Sequence, residues 1–152
     1  MSKDLDRYIQ FTGYMEDTYK IIQKIKSDHM KFFRLRGTDA TLILMLGRHP
    51  EGLTATQLAS KCKVDKAVVS RALKPLFEAQ TVKYADGTKS NYRSQITLTE
   101  KGQTIFESVL LAVVDAVGAA NKNVTDKDLL QFYKTLHKLN HNLKEYAKGN
   151  EA

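Results

Sequence analysis

Apolar residues follow a helical rhythm along most of the chain. Leu5, Tyr8, Ile9, Met15, Tyr19, Ile22, Ile25 and Phe33 recur close to every 3.6 residues, which predicts one long helix over 4–34. No proline interrupts the run, and Gly13 weakens it by only about 1 kcal/mol relative to alanine. A stripe this long exceeds what a small domain can cover, so a partner surface is expected. Gly37 reads as the stop. Thr38 and Asp39 are candidate N-caps for a short apolar helix around Leu42–Leu46, which ends near Gly47 and Pro50.

The next stretch is more compressed. Thr54 and Gln57 have the spacing of a capping box, opening a short helix with Leu58 and Ala59 inward that stops near Lys63. Asp65 is the expected cap of a second helix, with Val69, Leu73 and Leu76 on its inner face. Two short helices joined by a tight turn are a helix-turn-helix. Lys66, Ser70 and Lys74 then fall at i, i+4 and i+8, with Ala67 and Arg71 on the same outward stripe. Pro75 removes one hydrogen bond and crowds the Arg71 carbonyl, which predicts a kink or an early loosening.

The rhythm then switches to a period of two. Val82–Ala85 and Ser94–Leu98 flank the turn pair Asp86-Gly87, a hairpin whose tip carries Lys89, Asn91, Tyr92 and Arg93. Thr99 caps a helix running to about Asn121, with Ile105, Val109, Leu110, Val113 and Val117 in its interior. Thr125 and Asp128 open a last helix bearing Leu129, Phe132, Leu136, Leu139 and Leu143. The predicted class is mainly α with a small β-hairpin wing. Residues 37–103 form a winged helix-turn-helix, and 1–36 with 104–152 form a helical dimerisation region.

Charge sharpens this picture. The net charge is +7, of which residues 1–53 carry +2, residues 54–102 carry +5 and residues 103–152 carry none. The surplus therefore sits on the helix-turn-helix and hairpin, where it is either a solvated basic face or a phosphate-binding one. No run of about 18 uncharged apolar residues exists, so no membrane partner is expected. The polar N-terminus lacks an apolar signal core, and the expected location is cytoplasmic. A single cysteine, Cys62, excludes an internal disulfide framework.

The segments "LTATQLASKCKVDKAVVSRALKPLFEAQTV" and "YRSQITLTEKG" resemble the MarR family of winged helix-turn-helix regulators. The family's Leu-Thr first helix matches Leu53–Ala59, its recognition helix Val64–Leu76, and its Leu-Thr-x-x-Gly element Leu98–Gly102. The resemblance implies a homodimeric repressor that binds a pseudo-palindromic double-stranded DNA operator and is relieved by a small aromatic effector. It also implies DNA contacts from Lys66, Ala67, Ser70, Arg71, Lys74, Lys89, Asn91 and Arg93. Two departures stand out. Gln80 occupies the place of a glycine after the recognition helix, where a left-handed cap would be strained, so a different ending is expected. Asn91-Tyr92-Arg93 stands where the family's wing often has Asp-x-Arg.

Other readings keep their place beside these. A winged-helix module that binds protein instead of DNA is the alternative function, and the basic stripe argues against it. His29, Phe32 and Arg36 are candidate effector-binding residues, unless the aromatics are core and the arginine faces solvent. Cys62 reads as a half-buried structural residue, although Lys61 and Lys63 could lower its pKa. His137 and His141 have i, i+4 metal spacing but no supporting ligand cluster, so a solvated pair is favoured. No glycine-rich phosphate loop or catalytic triad pattern occurs, so neither an enzyme nor a cofactor is expected.

Overall fold

The helical rhythm is realised in the computed structural model, which describes residues 3–85, 87 and 94–149. In chain order these form α1 (Lys3–Lys31), α2 (Gly37–Gly47), α3 (Ala55–Cys62), α4 (Lys66–Glu78), β1 (Val82–Tyr84), β2 (Ile96–Leu98), α5 (Glu100–Ala120) and α6 (Asp126–Gly149). They divide into two compact units, Met1–Val113 and Val114–Ala152.

The core of the first unit comes from facing apolar stripes. Met30 of α1, Ala40, Ile43 and Leu46 of α2, Leu58 of α3, Val69, Ala72 and Leu76 of α4, Val82, Ile96, Ile105 and Val109 form one buried cluster. Val69, Leu73 and Leu76 face inward on α4, as their spacing predicts. β1 and β2 pair antiparallel, with Val82 opposite Leu98 and Tyr84 opposite Ile96. Leu53 adds an isolated bridge to Ile96, tying the start of the helix-turn-helix to the wing's base. Phe77 stacks on Tyr84 with ring centroids 4.6 Å apart, which fixes the wing against the end of α4.

Several local expectations are corrected. α1 ends at Lys31, three residues early, because Arg34 turns left-handed (φ 57°) and Leu35 N–H donates to the Met30 carbonyl at 3.1 Å. Gly37 is therefore no stop. It opens α2, where an added Cβ would lie 3.1 Å from the Ser27 backbone nitrogen, and so it permits close approach to α1. The N-cap of α2 is Arg36 instead of Thr38 or Asp39, since Asp39 at N3 accepts from the Arg36 backbone N–H at 2.9 Å. Asp65 sits at the N-cap of α4 but makes no side-chain cap bond.

Pro75 does not end α4, which continues to Glu78. Nor does Gln80 avoid the left-handed cap: its φ is +55°, and Thr81 N–H donates to the Leu76 carbonyl at 2.9 Å. The packing beyond the helix outweighs the local preference. The Thr99 hydroxyl donates to the Gln80 carbonyl at 2.7 Å and accepts from Gly102 N–H at 3.0 Å, capping α5 and bracing the cap of α4 together. Gly102 is required there, because a Cβ would lie 2.1 Å from the Thr81 oxygen.

Among the described residues one helix, α5, is long and apolar enough to cross a membrane, with mean hydropathy 1.5 over 18 residues. It is not an uncharged run, because Glu107 and Asp115 lie within it. Its Ile105 and Val109 are buried in the first unit's core, which accounts for apolar residues in that half.

The second unit holds the end of α5 and all of α6. Thr125 and Asp128 form the predicted capping box: Asp128 N–H donates to the Thr125 hydroxyl at 3.2 Å, and Thr125 N–H donates to the Asp128 carboxylate at 3.2 Å. No residue of α6 is buried, and Phe132, Tyr133, Leu139, Leu143 and Tyr146 are exposed.

Candidate nucleic-acid interface

The helix-turn-helix is built from caps. Thr54 accepts from Gln57 N–H at 3.2 Å while Thr54 N–H donates to the Gln57 side chain at 2.8 Å, starting α3 as the sequence predicts. Lys63 takes a left-handed conformation (φ 55°), and Val64 N–H donates to the Ala59 carbonyl at 3.1 Å. That turn redirects the chain into α4 within three residues.

α4 buries one face and exposes the other. Lys66, Ala67, Ser70, Arg71 and Lys74 are all exposed, on the side opposite Val69, Ala72 and Leu76. A helix about 10–12 Å across with its side chains fits a B-DNA major groove about 12 Å wide. Ala67 and Ser70 keep the centre of this face low, so a groove floor can approach the backbone. The ion pairs among the described residues involve none of Lys66, Arg71 and Lys74. An open cleft beside the face, between α3 and the start of α4, is lined by Thr56, Ser60, Lys63, Asp65 and Lys66. Its hydroxyls and lysines add anion-binding groups that the stripe alone does not reveal. The signal for Lys63 was present in the +5 surplus of residues 54–102. Lys89, Asn91 and Arg93 lie outside the described residues.

The frame behind this face is fixed through backbone carbonyls. Lys101 Nζ donates to the Ala79 carbonyl at 2.7 Å, and Thr99 N–H donates to the Thr81 carbonyl at 3.1 Å. The Arg36 guanidinium pairs with Asp39 at 3.2 Å and also donates to the Arg71 carbonyl at 3.4 Å. Except for the Arg36–Asp39 pair, these links join residues far apart in sequence and are not legible from spacing.

The candidate effector residues do not converge on one cavity. Phe32 is 87% exposed, edge-on to Phe33 with centroids 5.4 Å apart. His29 is half-buried and lies 3.3 Å from the Ser108 hydroxyl. Arg36 is committed to Asp39. The first unit instead has a cleft of about 100 Å³ lined by Tyr19, Gln23, Thr38, Thr41, Cys62 and Val68, among others. Burial pushes the Cys62 thiol up, with the Lys26 ammonium opposing; Lys61 and Lys63 are not the cations that act on it. Lys26 is itself pushed down by burial and donates to the Thr41 hydroxyl at 3.1 Å. His137 and His141 are exposed, and no His, Cys, Asp and Glu cluster suited to a metal occurs among the described residues.

No family model matches this chain. It is similar to the HTH-type transcriptional regulator TcaR of Staphylococcus aureus, 26% identical over 97% of this chain and 98% of that protein. Its fold is that of solved MarR proteins. A MarR protein from Peptoclostridium difficile superposes with a TM-score of 0.75 at 22% identity, covering 96% of this chain and 94% of that one. A Staphylococcus aureus MarR, solved in complex with salicylate and kanamycin, gives 0.74 at 16% identity over 94% and 95% of the two chains.

Proposed function

We propose that this chain, which carries the MarR fold and resembles MarR regulators over nearly its whole length, is a sequence-specific DNA-binding regulator of transcription. The observation that carries the reading is the exposed face Lys66-Ala67-Ser70-Arg71-Lys74 on the second helix of the helix-turn-helix. Arg71 reads base edges in the major groove, while Lys66 and Lys74 hold phosphates. Arg93 probes the adjacent minor groove, and Lys89 and Asn91 hold phosphates. Arg71→Ala should weaken operator binding by roughly 1–3 kcal/mol and relax specificity. Lys74→Ala should weaken all duplexes alike and reduce the salt slope by about 1. The operator comes from selection on a random duplex pool. An Arg71→Ala protein with unchanged affinity and specificity would overturn the assignment.

The regulator acts as a homodimeric repressor on a pseudo-palindromic site. Its support is the apolar surface left on each unit: Tyr8, Ile9, Tyr19 and Ile22 on α1, and Phe132, Leu139 and Leu143 on α6. Half-sites about 10 bp apart, one helical turn, are expected. Light scattering should give one dimer per duplex, and a monomer that binds the palindrome with full affinity refutes this part.

A small aromatic ligand relieves repression from the cleft lined by Tyr19, Thr38, Thr41, Cys62 and Val68. Its lining by residues of α1, α2, α3 and α4 supports this placement, because a ligand there would shift α4. Linkage requires ligand and operator to weaken each other by one factor. Titrating salicylate-like acids against free and DNA-bound protein measures both sides, and equal affinity for the two forms refutes regulation.

A further inference from the structure

Pro75 has no amide proton, so the carbonyl four residues earlier, that of Arg71, loses its helical partner. That carbonyl sits beneath the exposed face of α4. Arg36, 35 residues away in sequence, donates to it from Nη2 at 3.4 Å. The same nitrogen pairs with Asp39 Oδ1 at 3.2 Å, and Asp39 Oδ2 accepts the Arg36 backbone N–H at 2.9 Å. Asp39 is 1% exposed, so the carboxylate that orients the guanidinium is itself fixed in the core.

We infer that Arg36 is a positioning residue for the recognition helix: its guanidinium, held by Asp39, caps the Arg71 carbonyl that Pro75 leaves bare. The capped residue is the one whose side chain reads bases, so the Asp39–Arg36 pair sets where Arg71 points. The inference rests on the DNA-binding reading for its functional consequence. Its structural half stands apart from that reading. Lysine at position 36 keeps the charge but lacks the planar fork that serves carboxylate and carbonyl together. Alanine at position 75 restores the amide and gives the carbonyl its helical partner back.

The test is a two-background comparison on the full chain. On the natural background, Arg36→Lys should weaken operator binding roughly three- to tenfold, the effect of one charge-assisted bond. It should also speed amide hydrogen exchange in the second half of α4 without DNA present. On the Pro75→Ala background, Arg36→Lys should change neither quantity by more than about twofold. Equal loss on both backgrounds would overturn the inference, and a salt slope lowered by about 1 in Arg36→Ala would make Arg36 a direct phosphate contact. Unchanged exchange in α4 on the natural background would overturn it as well. If neither background bound any duplex, the DNA-binding reading would fail, while the exchange measurement would still decide the role of Arg36 in α4. Circular dichroism of each variant separates these outcomes from simple unfolding.

Discussion

Replacing Gln80 by glycine should stabilise the protein, and the size of the gain follows from its backbone. Gln80 closes the recognition helix at φ +55°, where a side chain costs roughly 1–2 kcal/mol. Glycine removes that cost but gains freedom in the unfolded chain worth about 0.4–1 kcal/mol. The bonds at this corner use backbone atoms: the Gln80 N–H donates to the Phe77 carbonyl at 3.0 Å, and its own carbonyl accepts from Thr99 at 2.7 Å. Both survive the substitution, and the exposed glutamine side chain has little packing to lose. The net expectation is a gain of about 0.5–1 kcal/mol, a rise in Tm of roughly 1–4 °C for a chain of this size. Gln80→Ala is the control, since its Cβ keeps the penalty. Urea unfolding at one fixed protein concentration should show a higher midpoint with an unchanged slope for glycine alone. A lower midpoint for Gln80→Gly, or an equal rise for Gln80→Ala, would refute the reasoning.

Gly102→Ala should destabilise by about 3 kcal/mol or more, because its Cβ would lie 2.1 Å from the Thr81 oxygen in a packed corner; a near-natural unfolding midpoint contradicts this. The Thr81 hydroxyl is buried without a partner among the described residues, so Thr81→Val should raise stability by about 1 kcal/mol, and a loss in the same unfolding assay would show the hydroxyl to be satisfied. Cys62 should react with iodoacetamide more slowly than a free thiol at pH 8, because burial holds its folded pKa above the ordinary thiol value. The folded form therefore binds the proton more tightly. The stability that this contributes is full below the unfolded value and is lost as pH rises through the folded one. A rate equal to that of the urea-unfolded chain would show the thiol to be free.

Sequence made the recognition face legible because one helix supplies it. A period of 3.6 is enough to place Lys66, Ser70 and Lys74 together and Val69, Leu73 and Leu76 opposite them. Local caps were equally readable where a side chain answers a backbone amide three residues on, as at Thr54–Gln57 and Thr125–Asp128. The errors cluster where tertiary bonds override local preference. Arg34 and Gln80 adopt left-handed caps without glycine, and Gly37 opens a helix in close approach to Ser27, where a Cβ would lie 3.1 Å from the backbone nitrogen. His29 and Phe32 both lie against Phe33, while Arg36, at the start of α2, is turned toward Asp39 and the Arg71 carbonyl.

The bonds that hold α4 share one property with consequences for its task. Lys101 donates to the Ala79 carbonyl, Thr99 to those of Gln80 and Thr81, and Arg36 to that of Arg71. All are accepted by the main chain at or beyond the middle of the helix. A recognition element must be rigid, since a misplaced arginine loses bidentate geometry with a base edge. It must also keep its outward side chains unpaired, since each internal salt bridge would have to be broken on binding. Anchoring through carbonyls meets both demands together. Arg71 combines them in one residue, with a carbonyl bound to Arg36 and an exposed side chain. The first turn of α4 is anchored differently. Asp65 gives it no side-chain cap, and Val68 and Val69 donate to the Asp65 carbonyl alone.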